Sequence, residues 1–165
     1  MKTPALLDRI ERDWRAARPD LSPEPMLTVI AVQRASQALQ GALETFFARH
    51  GLTPSAFDVL ATLRRSAPPG GLTLGELADL MAVTPPAVTK RVDSLERRGW
   101  VERRADPSDR RTVRAVLTPQ GKEAVDRLLA AHVAHEEVLL GALSPAERAT
   151  LRALLGRIPV DPPPP

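Results

Sequence analysis

Arginine and lysine side chains are concentrated in one stretch of the chain, residues 90–114. This stretch holds nine bases and five acids, so it carries a charge of +4 while the rest of the chain sums to −1. A cationic segment on a near-neutral body is typical of a surface that binds phosphates, as in a nucleic acid. A solvated charged face without such a partner is the alternative that charge alone leaves open.

The residue types that most catalytic or metal chemistry requires are scarce. There is no cysteine, which removes disulfides, thiolate zinc sites, iron–sulfur clusters and cysteine nucleophiles. His132 and His135, with Glu136 beside them, could form half a metal site, but histidines on a helix surface are usually solvated. No recognised nucleophile motif or glycine-rich phosphate loop is present. We therefore expect no enzyme activity, no cofactor and no metal site.

Hydropathy predicts neither a membrane span nor a secretory signal. No stretch approaches 18 uncharged apolar residues, and the first residues run into the charged segment 8–13 instead of an apolar block. We expect a cytoplasmic protein that does not contact membranes. The length suits one domain, residues 1–160, followed by a proline-rich disordered tail, residues 161–165.

The elements that must position the basic residues are mostly helices. Apolar residues recur at helical spacing, and prolines and capping residues, including Thr84, stand where helices begin. The predicted helices span about residues 5–17, 26–49, 54–66, 74–81, 85–98, 119–142 and 145–157. The predicted strands, residues 100–104 and 112–117, are joined by a turn and form a hairpin. The predicted fold is mainly α with a small β-wing, a winged helix-turn-helix.

The second of the two short helices has the two faces that a major groove requires. Val88, Val92 and Leu95 lie on one side, and short or cationic side chains lie on the other. The alternative is an ordinary amphipathic helix pair. We predict that this segment contacts DNA through Thr84, Pro86, Thr89, Lys90 and Arg97.

Charged side chains crowd the tip of the hairpin, where a two-stranded loop is not expected to bury them. They are Asp106, Asp109, Arg110 and Arg111. An exposed arginine on a thin wing can enter a minor groove. We predict that Asp109 orients one of the two arginines and that these last three residues contribute to DNA binding. A solvated hairpin with local ion pairs is the alternative.

Five motifs in combination resemble the MarR family of bacterial transcriptional regulators. They are Leu74-Gly-Glu-Leu-Ala, Val88-Thr-Lys-Arg-Val-Asp-Ser-Leu-Glu, Gly99-Trp-Val-Glu-Arg-Arg, Asp106-Pro-Ser-Asp-Arg-Arg and Leu117-Thr-Pro-Gln-Gly. The resemblance covers about residues 25–158. It implies a homodimer made by helices in 5–49 and 119–157, with a DNA-binding lobe at 53–117. Many members carry arginine where this chain has Ser108, so the wing-tip role shifts to Arg110.

A further motif, Leu7-Asp-Arg-Ile-Glu-Arg-Asp-Trp14, resembles the extra first helix of the urate-responsive branch of this family. That branch is described by a tryptophan, an aspartate and two arginines, and the matching residues are Trp14, Asp58, Arg91 and Arg103. The resemblance implies a repressor that binds a palindromic operator and is released by a small anionic aromatic ligand such as urate. The alternatives are another aromatic acid, no ligand, or a helical interaction module that does not bind DNA.

Three of these residues suggest a ligand site on their own chemistry. Asp58 lies in a helix that is apolar almost all round, where a buried carboxylate requires a partner. Arg91 lies about 60° from the apolar centre of its helix and so faces the scaffold. Trp14 offers a flat face to a planar ring. We expect Asp58 to hold an arginine when no ligand is bound; the alternative is a purely structural ion pair and a core tryptophan.

Overall fold

The computed structural model describes residues 3–106, 108–109 and 111–159, and these form helices and one small sheet. The elements are α1 (Thr3–Ala17), α2 (Glu24–Arg49), α3 (Pro54–Ser66), β1 (Leu72–Thr73), α4 (Leu74–Met81), α5 (Pro85–Glu96), β2 (Val101–Ala105), β3 (Val113–Leu117), α6 (Pro119–Leu139) and α7 (Pro145–Leu155). This order confirms the predicted winged helix-turn-helix. In the described ranges, no helix combines the length and the apolar character that crossing a membrane requires.

The chain divides into two compact units, Met1–Pro54 and Ser55–Pro165. The DNA-binding lobe at 53–117, which the family resemblance implies, remains a prediction. The single domain 1–160 remains a prediction, and the tail 161–165 lies outside the described residues. In the first unit α1 packs against α2, and Arg34 Nε donates to Thr3 Oγ1 at 3.3 Å.

The helix-turn-helix of the second unit begins at a capping box. Thr73 Oγ1 accepts from the Glu76 backbone N–H at 3.1 Å, and Glu76 Oε2 accepts from the Thr73 N–H at 2.7 Å. These two bonds give acceptors to backbone N–H groups that have none within the first turn of α4. Ala82, the residue after the last residue of α4, caps the helix with a left-handed φ of 51°. The pair of bonds between Thr73 and Glu76 is a capping box, which fixes the start of α4 at Leu74.

The apolar face predicted for α5 is also confirmed, because Val88, Val92 and Leu95 are fully buried. The capping role predicted for the Thr84 side chain is wrong, since it makes no cap hydrogen bond. Proline at the second helical position has no N–H to donate, and the next N–H, that of Ala87, binds the Thr84 carbonyl oxygen at 3.0 Å instead.

The wing contains one strand more than the predicted hairpin, because its sheet has the order β1-β3-β2. Strand β1 places Leu72 opposite Ala115 and Thr73 opposite Arg114, both in antiparallel pairing. Two residues are too short to produce an alternation of polar and apolar side chains. Gly71 precedes this strand with φ +81°, and a side chain there would strike the Ala115 carbonyl.

Three predicted helix ends lie too far along the chain. Helix α5 ends at Glu96 instead of residue 98, α6 at Leu139 instead of 142, and α7 at Leu155 instead of 157. The last residues predicted for α5 form the turn that leads to Gly99, which has φ 68°. Helical periodicity does not distinguish such a turn from a last helical turn.

Candidate nucleic-acid interface and ligand cavity

The outward face of α5 carries the side chains that the sequence assigns to DNA. Thr84, Pro86, Thr89, Lys90 and Arg97 are all exposed. The Thr89 hydroxyl donates to the Pro85 carbonyl at 3.1 Å, and Arg97 Nε donates to the Asp93 carbonyl at 3.3 Å. Lys90 forms no ion pair with any described residue, which leaves its ammonium group available to a partner.

At the wing tip, Asp109 orients Arg111, as predicted for one of the two arginines. Its Oδ1 accepts from the Arg111 backbone N–H at 3.0 Å and lies 3.6 Å from the Arg111 Nε. The Arg111 side chain is 95% exposed. The hydrogen bond from the Arg111 N–H, followed by that from the Thr112 hydroxyl, lowers the pKa of Asp109. Arg110 lies outside the described residues, so its predicted role stays a prediction.

Asp106 overturns the expectation that the tip cannot bury its charges, because it is only 5% exposed. Its Oδ1 accepts from the Ser108 N–H at 2.7 Å and hydroxyl at 2.5 Å, and its Oδ2 from Arg114 Nε at 2.5 Å. These bonds, the Ser108 hydroxyl first, hold the pKa of Asp106 well below its ordinary value. Arg114 Nη1 also donates to the Gly71 carbonyl at 3.0 Å, which ties the wing turn to the start of β1.

Arg103 joins strand β2 of the wing to α5, the recognition helix of the predicted DNA-binding segment. Its Nη2 lies 2.5 Å from Asp93 Oδ1, and its Nη1 contacts the Glu96 carboxylate. Desolvation opposes the charge of this guanidinium, but the bonds to Asp93 and Glu96 outweigh it and raise the pKa of Arg103. The guanidinium is thus already engaged by two carboxylates of α5.

A small cavity brings together Asp58 of α3 and Arg91 of α5. It has a volume of about 290 Å³, close to the lower end of the range of small-molecule sites, about 300 Å³. Its lining residues are Asp58, Thr62, Arg65, Leu80, Met81, Val83 and Arg91. Two cations, one carboxylate and an apolar wall can hold a planar molecule that carries a negative charge.

Asp58 itself is exposed, so the expectation that it is buried is wrong. The buried face of α3 contains its neighbours Phe57 and Val59, while Asp58 lies where α3 borders the cavity. Desolvation still raises the pKa of its carboxyl, against the opposing charges of Arg91, Arg65 and His132. Among the described residues no ion pair joins Asp58 to an arginine, which corrects the expected pairing.

Arg103 does not line this cavity, and Trp14 belongs to the other unit of the chain. Trp14, which is 40% exposed, lies in the unit Met1–Pro54 and lines a shallow groove with Ile10, Asp13 and Ala17. Sequence reasoning also missed Arg65, although its position offered a signal. It follows Asp58 by seven residues, which places the two on one side of a helix.

A helix-turn-helix followed by a β-hairpin, with one short strand before it completing a three-stranded sheet, defines the class of winged-helix proteins. Comparisons with known proteins identify the family. A MarR family profile matches residues 50–112. The chain is 37% identical to the HTH-type transcriptional regulator PecS of Dickeya dadantii over 149 residues, 90% of each protein. The chain therefore belongs to the MarR family of winged-helix transcriptional regulators.

Two solved structures extend this comparison to the fold. Sco3205, a MarR family regulator of Streptomyces coelicolor in complex with DNA, has a TM-score of 0.76 at 28% identity, covering 82% of this chain and 86% of its own. BpsR of Bordetella bronchiseptica, whose DNA binding is regulated by 6-hydroxynicotinic acid, has a TM-score of 0.69 at 28% identity, covering 77% and 89%. Both likenesses agree with the winged-helix fold described above.

Proposed function

We propose that this protein binds a palindromic DNA operator as a homodimer and represses transcription until a small anionic aromatic ligand, such as urate, releases it. The observation that carries the proposal is the outward face of α5, where the side chains predicted to contact DNA are exposed and the apolar ones are fully buried. A recognition helix needs this division, because base edges are read by side chains that the protein core leaves free.

The charge distribution supports DNA as the partner of that face. The segment 90–114 carries +4 on a chain that is otherwise close to neutral. Arg111 is solvated at the wing tip with its backbone N–H held by Asp109. A helical interaction module would not require an oriented arginine on a projecting loop. The similarity to Sco3205, solved with DNA, points the same way.

The cavity between α3 and α5 supports a ligand of the proposed kind. A planar anion there would pair with Arg91 and Arg65, and its charge would repel the Asp58 carboxylate. Because Arg91 belongs to α5, the ligand would act directly on the DNA-reading helix. For Trp14 and Arg103, a ligand role stays only a prediction of the family resemblance. The similarity to BpsR favours a second candidate, an aromatic acid such as 6-hydroxynicotinic acid.

The C-terminal helices support the homodimer. Helix α7 has no buried residue, although Leu151, Leu154 and Leu155 recur on one side of it. Val138 at the end of α6 is 77% exposed. Apolar surface of this extent on a soluble chain is typical of an interface between subunits.

A binding selection followed by a ligand titration tests the proposal. Duplexes selected by the purified protein from a random library should contain two half-sites about 10 base pairs apart. Their affinity should fall steeply with salt, because each phosphate contact releases counterions. Weak binding that hardly changes between low and moderate salt would contradict DNA recognition.

Urate and 6-hydroxynicotinic acid should then be titrated into the complex with the selected duplex. The active compound must bind the free protein more tightly than the complex, by the same factor by which it weakens DNA binding. Arg91→Ala should abolish release, and Asp58→Asn should reduce it. If release is unchanged in both variants, the cavity is not the ligand site, and if neither compound binds, the ligand class is wrong.

A further inference from the structure

We infer that Arg103 is a positioning residue that fixes the wing to the recognition helix, and that it does not bind the ligand. The inference rests on the proposed DNA binding, since it concerns how two DNA-reading elements keep their relative geometry. It gives Arg103 a different role from Arg91, although the family resemblance places both arginines in one ligand site.

The geometry of Arg103 is that of a clamp. Asp93 and Glu96 are three residues apart and therefore neighbours on the surface of α5. One guanidinium nitrogen contacts each carboxylate, so a single strand residue holds two points of the helix. The Arg103 side chain is only 24% exposed, and a planar guanidinium with fixed donors loses little freedom in such a bridge.

The register of the sheet passes this constraint to the rest of the wing. Arg103 lies opposite Ala115 of β3, in the middle of the β2–β3 ladder. Ala115 is fully buried and also pairs with Leu72 of β1. A shift of Arg103 relative to α5 would therefore move all three strands and the turn that carries Asp109 and Arg111. The recognition helix and the wing can contact the major and minor grooves of one duplex together only if their relative position is kept.

The clamp also suppresses negative charge on the DNA-reading helix. Without Arg103, two carboxylates would stand on one side of α5 and repel phosphates. This electrostatic effect and the positional effect both weaken DNA binding, so the experiment must separate them. The chain offers a matched control, since Arg104 is the next residue of β2, carries the same charge and pairs only with Glu102 of its own strand in the described chain.

The first arm compares Arg103→Gln, Arg103→Lys and Arg104→Gln on the duplex that the wild-type protein selects. We expect Arg103→Gln to weaken binding about tenfold, the size of a lost charged hydrogen-bond pair. It should also lower the salt slope by about one phosphate contact, because helix and wing no longer engage together. Arg103→Lys keeps the charge but not the fork, so it should recover only part of the affinity. Arg104→Gln should cost less than Arg103→Gln.

The second arm removes the charges of the whole clamp in the variant Arg103→Gln/Asp93→Asn/Glu96→Gln. The three wild-type side chains together carry −1, so this variant is more positive than the wild type. A purely electrostatic role predicts that it binds DNA more tightly than the wild type. The clamp predicts that it stays about tenfold weaker with the reduced salt slope. Tighter binding by the triple variant would overturn the inference.

The third arm measures urate and 6-hydroxynicotinic acid binding to the free Arg103→Gln protein, with thermal unfolding as a check of folding. Any compound that the wild type binds should bind unchanged. If that binding is lost while DNA affinity is kept, Arg103 is a ligand residue and the inference is wrong. If the wild type binds no duplex, the proposed function fails and the inference with it. If the wild type binds the duplex and the Arg103 variants bind it with the same affinity, the inference alone fails.

Discussion

Asp58 carries a charge where the fold does not favour one. Desolvation raises the pKa of its carboxyl above the ordinary value of 3.8 in spite of the nearby charges of Arg91 and Arg65. The folded chain therefore holds this proton more tightly than the unfolded chain, and ionised Asp58 lowers the stability at neutral pH. A carboxylate kept at such a position is typical of a functional site.

Asp58→Asn should accordingly increase the free energy of unfolding at pH 7. The gain should disappear as the pH falls below about 3.8, where the carboxyl is neutral in both states. Urea unfolding from pH 3.5 to 7.5 measures this difference. Asp126→Asn is the control, because Asp126 forms an ion pair with Arg64 at 2.7 Å and its loss should give no gain. A destabilised Asp58→Asn protein at pH 7 would show that the carboxylate is structural.

Lys90 and Thr89 should read bases, since both are exposed on the outward face of α5. Lys90→Ala or Thr89→Ala should relax sequence preference at one position of each half-site, at a cost of about 1–3 kcal/mol. A binding selection repeated with each variant measures the change. An unchanged preference in both variants would contradict the assignment of this face.

Individual residues also show how far the sequence alone could be interpreted. The buried Val88, Val92 and Leu95 were predictable because helical spacing alone determines which side they share. The burial of Asp106 was not predictable, because it depends on an arginine eight residues later folding back across the wing. A charged residue in a turn is exposed to solvent only when no residue of opposite charge folds back to pair with it.

At the scale of elements, the wing and the recognition helix should contribute differently to binding. An arginine in a minor groove responds to groove width and potential more than to base identity. Arg111→Ala, and Arg110→Ala as predicted from sequence, should weaken binding to all duplexes while the selected base preference stays the same. Affinities for the selected duplex and for a scrambled one measure this. A changed base preference in either variant would contradict the division of roles.

Element types were predictable, whereas strand β1 was not. The capping boxes at Thr73 and Ser144 identify two helix starts, because their hydrogen bonds are local and require particular residue types. Strand β1 exists only because Leu72 meets Ala115 across 43 residues of chain. The cavity is likewise made by α3, α4 and α5 together. Local pattern could suggest Asp58 and Arg91 but not that Arg65 lines the same space.

At the scale of the whole molecule, α7 exposes an apolar surface that the folding of one chain does not bury. This surface predicts association with a second chain. Leu151, Leu154 and Leu155 are all at least 40% exposed. If the protein is an obligate homodimer, its thermal unfolding midpoint should rise with protein concentration, and it should sediment as a dimer at micromolar concentration.

Leu154→Glu tests this interface directly, because Leu154 is 53% exposed in the single chain and its replacement need not disturb the fold. A charge placed in an apolar interface loses hydration without gaining a partner, so the dimer should dissociate. Ala149→Glu is the matched control, since it adds the same charge to the same helix, on the side away from Leu154. Sedimentation and unfolding at two concentrations should show a dissociated or weakened dimer for Leu154→Glu alone. A palindromic duplex should then lose most of its affinity for that variant, because only one recognition helix can bind at a time. A wild-type protein that is monomeric at micromolar concentration would contradict the interface, and a Leu154→Glu protein that remains a stable dimer would place it elsewhere.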